Sequence, residues 1–187
     1  MSRGKKATRT LVISILVSIF ALLQQRGYFS SLTQTAEQNQ PGLYRVTSFT
    51  DGDTIQVDMA GTTEKIRLIG VDTPETHDPR KSVQCYGQSA AAFTKQLIGA
   101  NRVRLQTDTE TTNRDRYNRL LRYVYLPDGR LVNAEIIKKG YGFAYVYFPF
   151  TKMDEFKRYQ ADAEKQSLGL WGNCEVETNK SGQSSTQ

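Results

Sequence analysis

Lys65-Ile66-Arg67-Leu68-Ile69-Gly70-Val71-Asp72-Thr73-Pro74-Glu75 carries two signals that meet at one point. Its first seven residues alternate apolar and polar, the period of a half-buried strand. Ile66 and Leu68 then face one side and Arg67 the other. An acidic cluster follows where the strand ends. Pro74 bars Thr73 from the helical region and keeps the segment extended, so Asp72 and Glu75 project from an edge rather than from a helix.

The same periodicity runs outward from this stretch. Upstream, Tyr44-Val46 begins a strand, Thr54-Ile55-Gln56-Val57 alternates, and Ala60-Gly61 is a turn. Downstream, Gly87 to Ile98 has helical spacing, with Ala90, Phe93 and Leu97 on one face. Arg102 to Thr107 is a strand with Val103 and Leu105 inward. Leu120 to Leu126 is another, ended by the turn sequence Pro127-Asp128-Gly129. Val132 to Lys139 is a short helix stopped by Gly140. Lys152 to Ser167 is the last helix, with Met153, Phe156, Tyr159 and Ala163 inward. Strands precede and interrupt the helices without βαβ alternation, which argues for α+β. Five short strands in this order suit a small closed barrel such as the OB-fold.

Both ends lie outside that pattern. Residues 1–29 combine a basic start with the uncharged run Leu11 to Leu23, too short for the ~30 Å hydrocarbon core of a bilayer. They read as a signal peptide, with Thr33-x-Thr35 before Ala36 as a weak cleavage site, or as an uncleaved signal anchor because no small-residue site follows the run directly. Residues 30–42 read as a linker, 43–174 as the domain and 175–187, rich in Ser, Thr, Asn and Gln, as a disordered tail. The chain has 25 basic and 19 acidic residues, but residues 1–35 hold five of the cations and no acid. The remainder is nearly balanced, so net charge alone does not argue for nucleic-acid binding. Cys85 and Cys174 are a disulfide candidate in an exported chain and two free thiols in a cytosolic one. With His77 they are too few for a structural zinc site.

Asp51-Gly52-Asp53-Thr54, read alone, is a turn. A second acidic cluster at Asp72 and Glu75 changes its meaning, because two clusters at strand ends can converge. Carboxylates without cysteine or histidine suit Ca²⁺ or Mg²⁺. Arg67 and Arg119 offer planar guanidinium groups that pair with phosphate oxygens, and tyrosines at 117, 145 and 147 offer stacking surfaces for bases.

Those motifs, with Asp115-Arg116-Tyr117-Asn118-Arg119, Phe143-Ala144-Tyr145-Val146-Tyr147 and Gly169-Leu170-Trp171, resemble the staphylococcal nuclease family over about residues 43–173. The resemblance implies an OB-fold barrel with three helices and Ca²⁺-dependent cleavage of DNA and RNA, single strands being the expected preference, by a monomer. Asp53 and Asp72 would hold the metal through carboxylates and Thr73 through its carbonyl. Glu75, Arg67 and Arg119 would be catalytic, and Arg116, Tyr117, Tyr145 and Tyr147 would bind substrate. Asn118 stands where the family usually has glycine, and Asn tolerates a left-handed backbone. Expected localisation is outside the cytoplasm, secreted or held to the membrane by an uncleaved N-terminus. The competing reading is a non-catalytic nucleic-acid-binding barrel. Such a module has no need for Asp53, Asp72, Glu75, Arg67 and Arg119 together.

Overall fold

The computed structural model divides the chain into two units, Met1–Gln40 and Pro41–Gln187. It describes residues 18, 44–76, 83–179 and 183–187. The apolar run at 11–23 apart from Ser18, the linker at 30–42 and His77 lie outside the described residues, so those expectations stand on sequence alone. No helix among the described residues is long and apolar enough to cross a membrane.

The second unit is an α+β domain. Strands β1 (Tyr44–Phe49), β2 (Thr54–Met59), β3 (Thr62–Leu68), β5 (Arg102–Gln106) and β6 (Leu120–Tyr125) close into a barrel in the order β1-β2-β3-β6-β5. All pairings are antiparallel except β3 with β6. Alternation fills the barrel: Ile55 and Val57, Ile66 and Leu68, Val103, and Val124 are fully or almost fully buried. This is the five-stranded barrel that the pattern predicts, and closure removes the exposed edges an open sheet would carry.

Three longer helices and one short one, among the described residues, accompany it. Helix α1 (Gly87–Ile98) starts and ends where its sequence predicts. Its fully buried stripe is Ala90, Thr94 and Ile98, one turn apart, while Phe93 and Leu97 pack beside it as partly buried residues. Helix α2 (Val132–Lys138) buries Val132, Asn133, Ala134, Ile136 and Ile137. Asn133 is the polar bolt of the core: its Oδ1 accepts the Val124 N–H at 2.9 Å and its Nδ2 donates to the Ile69 carbonyl at 2.9 Å. A buried amide with both ends satisfied costs little and fixes α2 against β6. Helix α3 (Met153–Lys165) seats Phe156 and Ala163, and the four-residue α4 (Leu170–Asn173) seats Leu170.

Two smaller pairs complete the unit. Strand β4 (Val71–Asp72) pairs with β7 (Phe143–Ala144). The C-terminus differs from the expected disordered tail: β8 (Val176–Thr178) pairs antiparallel with β9 (Ser184–Thr186). Its anchors are Cys85 and Cys174, joined in a disulfide with Cα atoms 6.0 Å apart, and Thr186, whose buried hydroxyl donates to the Cys85 carbonyl at 2.7 Å. Polar composition hid this pairing because its anchors are a covalent bond and hydrogen bonds, not apolar burial.

The disulfide spans 89 residues of sequence. Replacing both cysteines by serine is expected to lower stability by about 2–5 kcal/mol, seen as a fall of roughly 10 °C in the thermal midpoint. An unchanged midpoint under non-reducing conditions would show that the bond does not constrain the chain.

Candidate active site

The turn before β2 and the end of β3 lie side by side because Thr54 pairs with Arg67 across the β2–β3 ladder. Arg67 faces away from Ile66 and Leu68, and its side chain is only 13% exposed. A buried cation needs partners, and Arg67 has four. Nη1 donates to the Leu68 and Val71 carbonyls; Nη2 lies 3.1 Å from Asp53 Oδ2 and 3.1 Å from Asp72 Oδ1. Burial opposes the charge, but Asp53, Asp72 and Asp51 outweigh it and hold the guanidinium above its ordinary pKa.

Two glycines allow this convergence. Gly70 adopts φ +71°, and a Cβ there would come within 2.6 Å of the Phe150 ring. It turns the chain so that Asp72 returns to the guanidinium of the preceding strand. Gly52 has no such φ, but a Cβ on it would meet the Thr73 side chain at 2.7 Å. Its absence lets Thr73 close on Asp53: the Thr73 N–H and hydroxyl both donate to Asp53 Oδ2, at 2.9 and 3.2 Å. Thr54 donates its hydroxyl to Asp53 Oδ1 at 3.0 Å.

Asp51 joins the cluster, which its sequence context left as a turn residue. Its Oδ1 accepts the Asp53 N–H at 3.1 Å. Burial, and then the neighbouring Asp53 charge, push its carboxyl up to about 7. Its proximity to Asp53 in sequence was the available signal; burial was not visible.

Arg119 approaches from the loop before β6. Its Nε donates to Asp115 Oδ2 at 2.6 Å, and its Nη1 is 3.4 Å from the Thr54 hydroxyl. Burial would raise the Asp115 pKa, but bonds from the Arg119 N–H and guanidinium and from the Tyr117 N–H hold it below the usual carboxylate range. Asn118 takes φ +63°, the left-handed conformation that the loop requires. Tyr117 is 64% exposed, with the Arg116 guanidinium 4.8 Å and the Arg119 guanidinium 5.4 Å from its ring centre.

A second aromatic group follows β7. The Tyr145 N–H donates to the Gly70 carbonyl at 2.9 Å, and the Tyr145 and Tyr147 rings lie 5.0 Å apart. Glu75 sits on the extended segment after β4. Its N–H is held by Gln84 Oε1 at 2.7 Å and its carboxylate accepts the Thr76 N–H at 2.9 Å.

The structure therefore brings Asp53, Asp72, Thr73, Arg67 and, through Thr54, Arg119 into one connected network. Among the described residues no three His, Cys, Asp or Glu side chains form a metal cage by themselves. The donor chemistry nonetheless fits a hard divalent cation. Asp53 and Asp72 oxygens sit on one shared nitrogen, so they are no further apart than twice 3.1 Å. Two carboxylates, Asp53 and Asp72, share a single guanidinium, which leaves negative charge to neutralise. Those two carboxylates, the Thr73 carbonyl and water would supply oxygen ligands.

A family model described as staphylococcal nuclease homologue matches residues 65–173, more than half of the chain. The chain belongs to the staphylococcal nuclease family. It is 39% identical to a thermonuclease of Staphylococcus intermedius over 86% of this chain and 93% of that protein. It is 38% identical to a thermonuclease of Staphylococcus hyicus over 90% of this chain and 99% of that one. It is 39% identical to endonuclease YncB of Bacillus subtilis, over 76% of this chain and 69% of that protein.

Removing the guanidinium leaves the buried Asp53 carboxylate, and the partly exposed one of Asp72, without their counter-ion. Arg67→Ala is expected to cost about 3–5 kcal/mol, the usual penalty for breaking a buried pair from one side. Urea unfolding with EDTA present reads it. A loss below about 1 kcal/mol would mean that Arg67 does not hold the cluster together.

Proposed function

We propose that this nuclease hydrolyses phosphodiester bonds in DNA and RNA with little sequence preference, using calcium, at the cluster formed by Asp53, Asp72, Thr73, Arg67 and Arg119, with Glu75 on the extended segment that follows Asp72. The nuclease activity rests on family membership and on thermonuclease and endonuclease relatives that match over most of the chain. The observation that carries the site is the shared guanidinium, which draws two separate acidic motifs to one point.

Asp53, Asp72 and the Thr73 carbonyl would hold the ion. When bound, it would polarise the phosphoryl oxygens and stabilise the charge that builds on them. The two arginines have different work. Arg67 has both terminal nitrogens engaged: Nη1 donates to two carbonyls, and Nη2 donates to Asp72 and pairs with Asp53. It preorganises the carboxylates, and it can offer Nη2 to a phosphate only when they take another partner. Arg119 is held through Nε and Nη1, and its Nη2 makes no hydrogen bond among the described residues. It is the guanidinium ready to grip a phosphoryl oxygen. Asp115 fixes its orientation in advance, so gripping costs little reorganisation. Glu75 would hold the attacking water in line and take its proton. Tyr117 with Arg116, and Tyr145 with Tyr147, would stack bases and carry the backbone, which favours single strands with unpaired bases.

We further propose that the domain works outside the cytoplasm. The uncharged run at 11–23 is the address, and the disulfide between Cys85 and Cys174 suits an oxidising compartment. Millimolar calcium, commoner there, would fill a site with only two strong protein carboxylates.

The test is cleavage of single-stranded DNA by the full chain with Ca²⁺, with EDTA, and with Glu75→Gln. Cleavage should require Ca²⁺, and the variant should bind the DNA while turning over roughly 10²–10⁴-fold more slowly. Cleavage that persists in EDTA would remove calcium from the account. Unchanged turnover in Glu75→Gln would remove Glu75 as the base. Binding without any cleavage would point to the non-catalytic barrel.

A further inference from the structure

The start of α1 grips the segment that carries Glu75. The Glu75 N–H donates to Gln84 Oε1 at 2.7 Å, and the Gln84 N–H donates back to the Glu75 carbonyl at 3.0 Å. One residue thus satisfies both backbone groups of another, nine positions away in sequence. Both bonds fall on the backbone of Glu75, so they fix where its Cα stands and which way its side chain leaves the chain. The Gln84 carbonyl is taken by the Gly87 N–H at 3.0 Å, which ties this clasp to the first turn of α1. Gly87 is buried there, and a Cβ on it would stand 3.0 Å from both the Pro74 and the Glu75 carbonyl oxygens. The two segments lie backbone to backbone at this point.

Cys85, the next residue, is held from the other side. It is joined to Cys174, and its carbonyl accepts the buried Thr186 hydroxyl at 2.7 Å. Cys174 is fixed in turn, because its N–H donates to the carbonyl of the fully buried Leu170 at 3.0 Å. A line of covalent and hydrogen bonds therefore runs from the core at Leu170 through Cys174, Cys85 and Gln84 to the backbone of Glu75. Gln84 and Glu75 are both only half-buried, so packing alone does not fix them. Nor does a sheet, since β4 ends at Asp72.

We propose that Gln84 is a positioning residue for Glu75, and that the Cys85–Cys174 bond holds Gln84 in place to do it. A base that must keep a water in line depends on such a clasp, because a misplacement of about 1 Å can cost on the order of a hundredfold in rate. In this role Gln84 acts through Glu75 and not on the phosphate itself. The inference deepens the nuclease reading and rests on it for the role of Glu75.

The experiment measures kcat and KM of the full chain on single-stranded DNA with Ca²⁺, for the wild type, Gln84→Ala, Gln84→Glu, and Gln84→Ala combined with Glu75→Gln. Gln84→Ala should lower kcat roughly tenfold or more and move KM by less than about twofold. Gln84→Glu keeps an acceptor oxygen for the Glu75 N–H and should recover most of that loss. With Glu75→Gln already present, Gln84→Ala should lower kcat little further, because both changes act on one group. A general loss of folded protein would lower kcat by the same factor in both backgrounds. That result, or an unchanged kcat in Gln84→Ala, overturns the proposal. Cys85→Ser with Cys174→Ser, assayed well below its thermal midpoint, should lose kcat several-fold in the same pattern. A wild-type kcat there overturns the part given to the disulfide. If Glu75→Gln turns over as the wild type does, the role of Glu75 falls first. Exchange of the Glu75 amide proton, followed by NMR, then decides the clasp alone. Protection lost in Gln84→Ala and regained in Gln84→Glu supports it, and equal exchange in the wild type and Gln84→Ala overturns it.

Discussion

Arg67 Nη2 sits 3.1 Å from a carboxylate oxygen of Asp53 and 3.1 Å from one of Asp72, two residues nineteen positions apart in sequence. At an effective dielectric of ~20, each contact is worth about 5 kcal/mol of gross attraction. Desolvation takes back several kcal/mol per ion. The pairing is therefore poor evidence for stability by itself. It does constrain geometry, because one guanidinium nitrogen holds both carboxylates. Ile66 and Leu68 in the barrel oblige Arg67 to face outward, the Gly70 turn returns Asp72 to it, and Gly52 leaves room for Thr73 to clasp Asp53. The acidic site is thus a by-product of strand alternation plus two glycines.

The rest of the domain keeps that edge still. Asn133 ties α2 to β6 and to the Ile69 carbonyl, one residue before the turn at Gly70. The β4–β7 pair holds Asp72 opposite Phe143, so the acidic cluster and the tyrosines that follow β7 share one short ladder. Asp115 does for Arg119 what the paired aspartates do for Arg67. One arginine is consumed in building the site and the other is presented by it. That division separates the two guanidinium groups, which sequence treats as equivalent.

Much of this is legible in the sequence, for physical reasons that differ by element. The barrel strands announce themselves because one face is buried and the other is not. Helix α1 is bounded by its own periodicity and by the glycines at 87 and 99. Asn118 was expected to tolerate a left-handed backbone, and it has one. The clustering of Asp53, Asp72 and Thr73 was readable only through paired motifs and family resemblance, since charge spacing does not encode a tertiary contact. Three things were not legible. The burial of Asp51 depends on what packs over a turn. The polar bolt at Asn133 looks like any asparagine in a helix. The β8–β9 hairpin rests on hydroxyl contacts and a covalent bond, to which hydrophobic patterning is blind.

The central claim is that the carboxylates gathered by Arg67 form a cation site. Calorimetric titration of the purified chain with Ca²⁺, beside Asp72→Asn, addresses it without relying on activity. The account predicts one site in the wild type and binding weaker by roughly an order of magnitude or more in the variant, because ligand charge sets affinity in such sites. Equal binding by the two proteins, or none by a folded wild type, would contradict it.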